Sequence, residues 1–163
     1  MKYLFCNLEK CLGCKSCEIA CALEHSRSKD LFQAVEEKPS PRYRLKVEYG
    51  KERAFPLACR HCDEPACVVA CMSGCLSKDS KTGAVVQDEE RCVGCWMCLM
   101  VCPYGAVNPD GERKLPLRCD RCREKEEPAC VVACPTGALV FMEPEEFKKT
   151  VTRNSQPVTK KTS

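Results

Sequence analysis

The residues of this chain best suited to chemistry are its cysteines, which occupy 18 of the 163 positions. Sixteen of them fall into four groups of four. In chain order these are motif I (Cys11, Cys14, Cys17 and Cys21), motif II (Cys59, Cys62, Cys67 and Cys71), motif III (Cys92, Cys95, Cys98 and Cys102) and motif IV (Cys119, Cys122, Cys130 and Cys134). Motif III, with Pro103 after it, matches in full the C-x2-C-x2-C-x3-C-P run that ligates [4Fe–4S] clusters in bacterial proteins.

All four motifs end in C-x3-C, although motifs II and IV have a wider gap before their third cysteine. Cysteines four residues apart lie on one face of a helix, with Cβ atoms about 5–6 Å apart. One short helix can therefore offer thiolates to two neighbouring clusters, and in two-cluster proteins the fourth cysteine does ligate the other cluster. The spacing predicts four [4Fe–4S] clusters, ligated by all sixteen cysteines, with a short helix on each C-x3-C.

Two other uses of many cysteines fit less well. Paired C-x2-C knuckles are typical of zinc sites, but zinc has no need of a repeated C-x3-C. A disulfide scaffold is typical of small secreted proteins, whereas the first residues of this chain lack the apolar segment of a signal peptide. No stretch approaches the roughly 18 apolar residues that cross a bilayer. These features predict a cytoplasmic protein without a membrane span.

The sequence repeats itself. Residues 64–71 recur letter for letter as residues 127–134, and motifs I and III share a C-x-G-C turn. The order A-B-A-B suggests a duplicated two-cluster unit. Neighbouring motifs could pair in sequence, or the first could pair with the fourth and the second with the third. The spacing satisfies both arrangements.

Between the motifs the chain predicts only small elements. Alternating residues over 42–57 predict a β-hairpin, 81–86 a turn entering a short strand, and 138–142 another strand. Residues 22–41 are interpreted as a helix end and a surface loop, 143–150 as a last helix, and 151–163 as a tail of disordered composition.

Several single residues have two interpretations. Cys6 and Cys75 lie outside the motifs. Cys75 is predicted to be a small buried side chain near a cluster, with a spare ligand or a redox-reactive thiol as the alternative, and Cys6 is predicted to pack as part of a strand. Trp96 is predicted to shield a cluster from water, and a partner contact is its alternative. His25 and His61 are taken as ordinary polar residues, although His61 could donate to a cluster sulfur. The formal charge of +3 becomes negative once four clusters add about −2 each, so no nucleic-acid binding is predicted.

The four motifs in this order, with these gaps, resemble the four-cluster subunits of the dimethyl sulfoxide reductase iron–sulfur subunit superfamily. Residues 10–18 and the short length look most like the CooF-type subunit of carbon monoxide dehydrogenase systems. The resemblance implies an α+β fold of two pseudo-symmetric bacterial ferredoxin-like modules, one inserted in the other. Residues 1–41 with 103–142 would form one module and 42–102 the other, followed by a C-terminal helix and tail over 143–163.

The resemblance also implies which motifs pair. The first cluster would take Cys11, Cys14, Cys17 and Cys134, and its neighbour would take Cys119, Cys122, Cys130 and Cys21. The third cluster would take Cys59, Cys62, Cys67 and Cys102, and the last would take Cys92, Cys95, Cys98 and Cys71.

The function implied is electron relay rather than catalysis, since the sequence has no phosphate loop, dinucleotide fingerprint or radical motif. By resemblance the donor is a carbon monoxide dehydrogenase, and the acceptor a hydrogenase or a flavin NAD(P) reductase. The alternative is a bound subunit of a formate dehydrogenase, formate hydrogenlyase or related molybdenum or tungsten complex.

Overall fold

A computed structural model describes residues 1–154 as a set of short helices and two-stranded sheets. The strands are β1 Tyr3–Cys6, β2 Lys46–Tyr49, β3 Ala54–Leu57, β4 Leu76–Lys78, β5 Val85–Gln87, β6 Asn108–Asp110, β7 Leu115–Leu117 and β8 Leu139–Met142. The helices are α1 Ser16–Glu24, α2 Leu31–Glu36, α3 Ala66–Val69, α4 Met97–Met100, α5 Ala129–Val132 and α6 Pro144–Asn154.

The strands form four antiparallel pairs. Three are hairpins of consecutive strands: β2 with β3, β4 with β5, and β6 with β7. The fourth pairs β1 with β8, and Tyr3 lies opposite Met142 while Cys6 lies opposite Leu139. The two ends of the cysteine-bearing region are thereby joined, which brings motif I beside motif IV. The predicted hairpin over 42–57 and the strand predicted over 138–142 are confirmed.

Two local predictions need correction. The segment 22–41 is not only a helix end and a loop, because Leu31–Glu36 forms α2. The Asp30 side chain caps this helix by accepting from the backbone N–H groups of Phe32 and Gln33, both at 3.0 Å, the ordinary role of an N-cap aspartate. The last helix runs on to Asn154, four residues further than predicted; the remainder of the predicted tail lies outside the described residues.

The helices on the C-x3-C segments differ in length. Helix α1 carries both Cys17 and Cys21, as predicted. Helices α3, α4 and α5 contain only the third cysteine of their motifs and end before the fourth. In each of these the fourth cysteine begins a turn, closed by a glycine N–H that donates to the cysteine carbonyl; for Cys71 the donor is Gly74, at 3.1 Å.

The buried apolar side chains form two separate cores. One contains Cys17, Cys21, Leu45, Val47, Cys130 and Leu139, where α1 packs on α5 and hairpin β2–β3 contributes its inner side chains. The other contains Cys75, Leu76, Cys98 and Val107, where α3 packs on α4. Each core is small and built largely from cysteines, as expected for a chain that depends on metal binding for stability.

Candidate iron–sulfur cluster sites

The C-x-x-C turn of every motif has a left-handed residue at the same position. Its third residue has a positive φ in all four: 67° at Gly13, 50° at His61, 66° at Gly94 and 63° at Arg121. This left-handed region suits glycine and strains other residues. Each motif therefore turns at the same position, whatever side chain the strained residue carries.

Hairpins cover the two turns that have glycine. A Cβ atom on Gly13 would lie 2.9 Å from both Ala54 Cβ and Tyr49 Cε1, and one on Gly94 would lie 2.8 Å from the Lys114 carbonyl oxygen. The Tyr49 hydroxyl also donates to the Gly13 carbonyl at 2.7 Å. Hairpin β2–β3 thus covers motif I, and the turn of hairpin β6–β7 covers motif III.

In the other two turns large side chains are buried. His61 is 2 % exposed, and its Nδ1 accepts from the backbone N–H of Val85 at 2.9 Å. Arg121 is 7 % exposed and donates to the Thr82 carbonyl at 3.1 Å. Burial, followed by the positive charge of Arg121, lowers the pKa of His61 to about 3. His61 is therefore a neutral buried group, not the ordinary polar residue expected from the sequence.

His25 also differs from that expectation, because it belongs to a charged network. Its Nε2 lies 3.2 Å from Asp120, and Arg44 donates to the same carboxylate at 2.7 Å. Burial opposes protonation, but the hydrogen bond to Asp120 raises the pKa of His25 to about 9. This network lies beside Cys21, whose sulfur accepts from the Arg44 backbone N–H at 3.2 Å.

A cavity lies at the first of the four cysteine sets. It is small, with a volume of about 20 Å³, and its lining includes Cys11, Cys14, Cys17 and Cys134. Motif I supplies three of these thiols and motif IV the fourth. The backbone N–H of Leu139 donates to the Cys134 sulfur at 3.5 Å, the kind of contact with which proteins adjust cluster potentials.

The second set is buried deepest. Burial raises the pKa of the Cys130 thiol, and repulsion from nearby thiolates raises it further. Among those thiolates the largest effects come from Cys119, Cys21 and Cys122 of the same set. Burial likewise raises the pKa of Cys119 to about 12, with Cys21 and Cys59 among the charges that add to it. Cys119 is therefore near cysteines of motif I and of motif II.

The third and fourth sets share the second core. Cys59 interacts with Cys67 and Cys102, two cysteines predicted to ligate with it. Burial raises the pKa of Cys98, and the thiolates of its motif partners Cys92 and Cys95 act in the same direction. Cys71, Cys92 and Cys98 belong to that one core.

Comparison with known proteins agrees with this geometry. A family model described as a 4Fe–4S dicluster domain matches residues 51–144, and one described as a 4Fe–4S binding domain matches residues 8–24. The chain belongs to the 4Fe–4S dicluster family. It is 34% identical to an "iron–sulfur protein" of Rhodospirillum rubrum, covering 89% of this chain and 84% of the relative.

Two relatives from Escherichia coli K12 have more specific names. "Electron transport protein HydN" is 30% identical, covering 91% of each chain. "Probable anaerobic dimethyl sulfoxide reductase chain YnfG" is 35% identical, covering 89% of this chain and 75% of that one. Among the residues that the structure describes, no helix is long and apolar enough to span a membrane.

The sites of this dicluster protein fit [4Fe–4S] clusters chemically. Four thiols of one set line a small cavity, and backbone N–H groups donate to the sulfurs of motif cysteines. Iron binding takes up thiolates and releases their protons, so buried thiols of raised pKa are compatible with it. Within residues 1–154 no three His, Cys, Asp or Glu side chains converge on a single metal position.

The remaining cysteines have packing positions, as predicted. Cys6 lies in β1 against the first core. Cys75 is 5 % exposed in the second core, with its sulfur 3.4 Å from that of Cys71. Trp96 is half-buried at the start of α4, with φ of 62°. The acidic run 124–127 is exposed, as expected of a solvated loop.

Proposed function

We propose that this protein transfers electrons through a row of four [4Fe–4S] clusters and is not itself an enzyme. The sixteen cysteines of the four motifs would supply every ligand, in the pairing of motif I with IV and of II with III. The observation that carries the proposal is a contact between motifs II and IV: Arg118, the residue before Cys119, has its Nη1 3.5 Å from the Cys67 sulfur. The second and third cysteine sets would therefore lie side by side and join two cluster pairs into one row.

The row has a direct consequence for electron flow. The sets containing Cys11 and Cys95 would hold the two end clusters, since Cys14 and Cys95 are exposed. The two inner clusters would be shielded from solvent, one by the burial of the cysteine set that contains Cys119 and the other by buried His61. Electrons would enter at one end and leave at the other, and the clusters would supply all the redox chemistry.

The partners are proposed from resemblance. The CooF-like features favour a cytoplasmic carbon monoxide dehydrogenase as donor, and a hydrogenase or flavin NAD(P) reductase as acceptor. The alternative is a subunit bound to a formate dehydrogenase, formate hydrogenlyase or other molybdenum or tungsten oxidoreductase. It is favoured by the relative named as a dimethyl sulfoxide reductase chain.

The cluster count and the pairing can be tested together by anaerobic iron and acid-labile sulfide analysis. The parent protein should contain about sixteen irons per chain, four for each cluster. The double variant Cys11→Ser/Cys14→Ser should lose one cluster, or about four irons. Adding Cys134→Ser should cost no further iron, because Cys134 would ligate that same cluster.

Adding Cys71→Ser to the same double variant is the matched control. Cys71 would complete the motif III cluster, so this triple variant should lose about four irons more. Sequential pairing requires the reverse result, in which Cys71→Ser is silent and Cys134→Ser removes a second cluster. A parent protein with about eight irons would overturn the four-cluster proposal itself.

A further inference from the structure

Three buried hydrogen-bond donors lie together between motifs II and IV. Arg118 and Arg121 flank Cys119, and His61 lies between Cys59 and Cys62. Their exposed fractions are 3 %, 7 % and 2 %, respectively. We call these three residues the inner donor group. The sequence does not distinguish Arg118 from the other basic residues of the chain.

Each member has a donor atom without a hydrogen-bond partner in the described part of the chain. These atoms are His61 Nε2, Arg118 Nη2 and Arg121 Nη2. Because His61 Nδ1 accepts from Val85, the neutral ring carries its hydrogen on Nε2. A buried donor left unpaired is destabilising. The Arg121 guanidinium is partly compensated, because it lies over the Tyr3 ring at 4.6 Å. Arg118 and His61 therefore most clearly indicate an acceptor that the polypeptide does not supply.

Arg118 is aimed at one cysteine set. Its Nη1 lies 3.5 Å from the Cys67 sulfur, while its Nε donates to Gln87 at 3.2 Å. Gln87 belongs to β5, so the guanidinium is held from the side away from the sulfur. No carboxylate within residues 1–154 forms an ion pair with Arg118, and its positive charge is thus free to act on the cluster.

We propose that Arg118, assisted by His61, raises the reduction potential of the cluster bound by Cys59, Cys62, Cys67 and Cys102. The proposal rests on the proposed function, since it assumes that this set holds a cluster. One electron from a one-electron donor protein would reduce the cluster core from 2+ to 1+. Arginine stays protonated throughout, so no proton accompanies the electron.

The sign follows from electrostatics. Reduction makes the cluster with its four thiolates more negative, and a buried cation beside it stabilises that state more than the oxidised one. Donors to cluster sulfurs and burial are recognised determinants of these potentials. Motifs I and III have glycine where motif II has His61 and motif IV has Arg121, so their turns offer no side-chain donor at that position. Arg118 and His61 would therefore stabilise an added electron on the third cluster relative to the other clusters of the row.

The test is an anaerobic redox titration followed by EPR, on the loaded full chain. Arg118→Gln should move one reduction step to more negative potential by at least a tenfold change in the equilibrium constant, which is 59 mV for one electron. The step that moves should be the one that Cys67→Ser alters. Iron content should stay at the parent value.

Arg60→Gln is the control, because it removes the same charge beside Cys59 from an exposed position. Solvent and salt screen exposed charges, so the equilibrium constant of the same reduction step should change less than twofold. An Arg118→Gln variant that keeps the parent iron content and shows no shifted reduction step would overturn the inference. The proposed electron-transfer function would be unaffected by that result. If the Arg118→Gln variant binds less iron than the parent, a Gln87→Ala variant provides the test. It removes the hydrogen bond that holds the Arg118 guanidinium but keeps the guanidinium itself. A negative shift of the same step then supports the proposal, and the parent potential contradicts it.

Discussion

At the third position of each C-x-x-C turn, the surroundings decide which residue can be tolerated. Left-handed backbone costs an ordinary residue about 1–2 kcal/mol, and His61 and Arg121 bear that cost. Gly13 and Gly94 face an additional steric limit, since hairpins occupy the space a Cβ would need. Glycine was recognisable there from the sequence. The same conformation at His61 was not, because nothing in the sequence marks a histidine as left-handed.

This difference predicts a graded series of glycine substitutions. Gly13→Ala combines backbone strain with a clash, and overpacking adds about 1–3 kcal/mol. Gly105→Ala has the strain alone, since its φ is +60° and nothing lies within 4 Å of the new Cβ. Gly111→Ala meets open space without positive φ, and should be neutral or slightly stabilising.

The measurement is the guanidinium concentration at which half the visible cluster absorbance is lost, under anaerobic conditions. It should fall most for Gly13→Ala, less for Gly105→Ala and not at all for Gly111→Ala. Equal losses at Gly13 and Gly105 would mean that the hairpin does not press on motif I, and that backbone strain explains both effects.

Among the elements, the hairpins act as covers for the cluster loops. Hairpin β2–β3 is attached to motif I at two points besides the apolar contacts. The Tyr49 hydroxyl donates to the Gly13 carbonyl at 2.7 Å, and the Val47 backbone N–H donates to the buried Glu18 carboxylate of α1 at 2.5 Å. Such attachments restrict opening of the loop and access of water to the cluster.

Tyr49→Phe should therefore accelerate loss of one cluster to a chelator. Removing one hydrogen bond costs about 0.5–1.5 kcal/mol, which corresponds to roughly a two- to tenfold faster loss of about four irons. Tyr3→Phe is the control, because its hydroxyl donates to the Met1 sulfur, a weak acceptor. The same acceleration in both variants, or a uniform acceleration of all clusters in Tyr49→Phe, would contradict the covering role.

The elements also show what a sequence reveals and what it conceals. Hairpin β2–β3 was predictable because apolar and polar residues alternate before Gly50 and a second short run follows it. Hairpin β6–β7 was not, because Pro109 and Pro116 lie opposite each other in its two strands, and proline normally argues against a strand. It is tolerated in a two-stranded sheet because each strand has a free edge. Helix α2 was missed although Asp30 offered a capping signal.

At the scale of the whole molecule, the pairing of motifs depends on contacts distant in sequence. Cysteine spacing is compatible with two pairings of the motifs. In both, each motif contributes its own fourth cysteine, and the spacing does not indicate which other motif's cluster that cysteine ligates. The structure places α1 against α5 and α3 against α4, and β1 against β8. No pattern within a motif specifies that closure, so only the resemblance could favour the pairing of motif I with motif IV.

The division into two modules stays a prediction, but packing favours different boundaries from those expected. Hairpin β2–β3 was assigned to the module of residues 42–102, yet Leu45 and Val47 pack in the core of α1 and α5. Hairpin β6–β7 was assigned to the other module, yet its turn residue Lys114 covers Gly94 of motif III. Val107, just before it, is buried in the core of α3 and α4. Boundaries near residues 58 and 118 would keep each hairpin with its own core.

Two fragments of nearly equal length distinguish the two sets of boundaries. Both contain the eight cysteines of motifs II and III. Residues 59–118 keep Val107, the hairpin over Gly94 and Arg118. Residues 42–102 lack all three and would expose Leu45 and Val47, which are 1 % and 4 % exposed in the whole chain.

Exposing apolar area costs about 25 cal/mol per Å², and folding of such a small unit is coupled to its metal. After anaerobic reconstitution and gel filtration, we expect about eight irons on 59–118 and fewer on 42–102; the reverse order would restore the boundaries at 41/42 and 102/103.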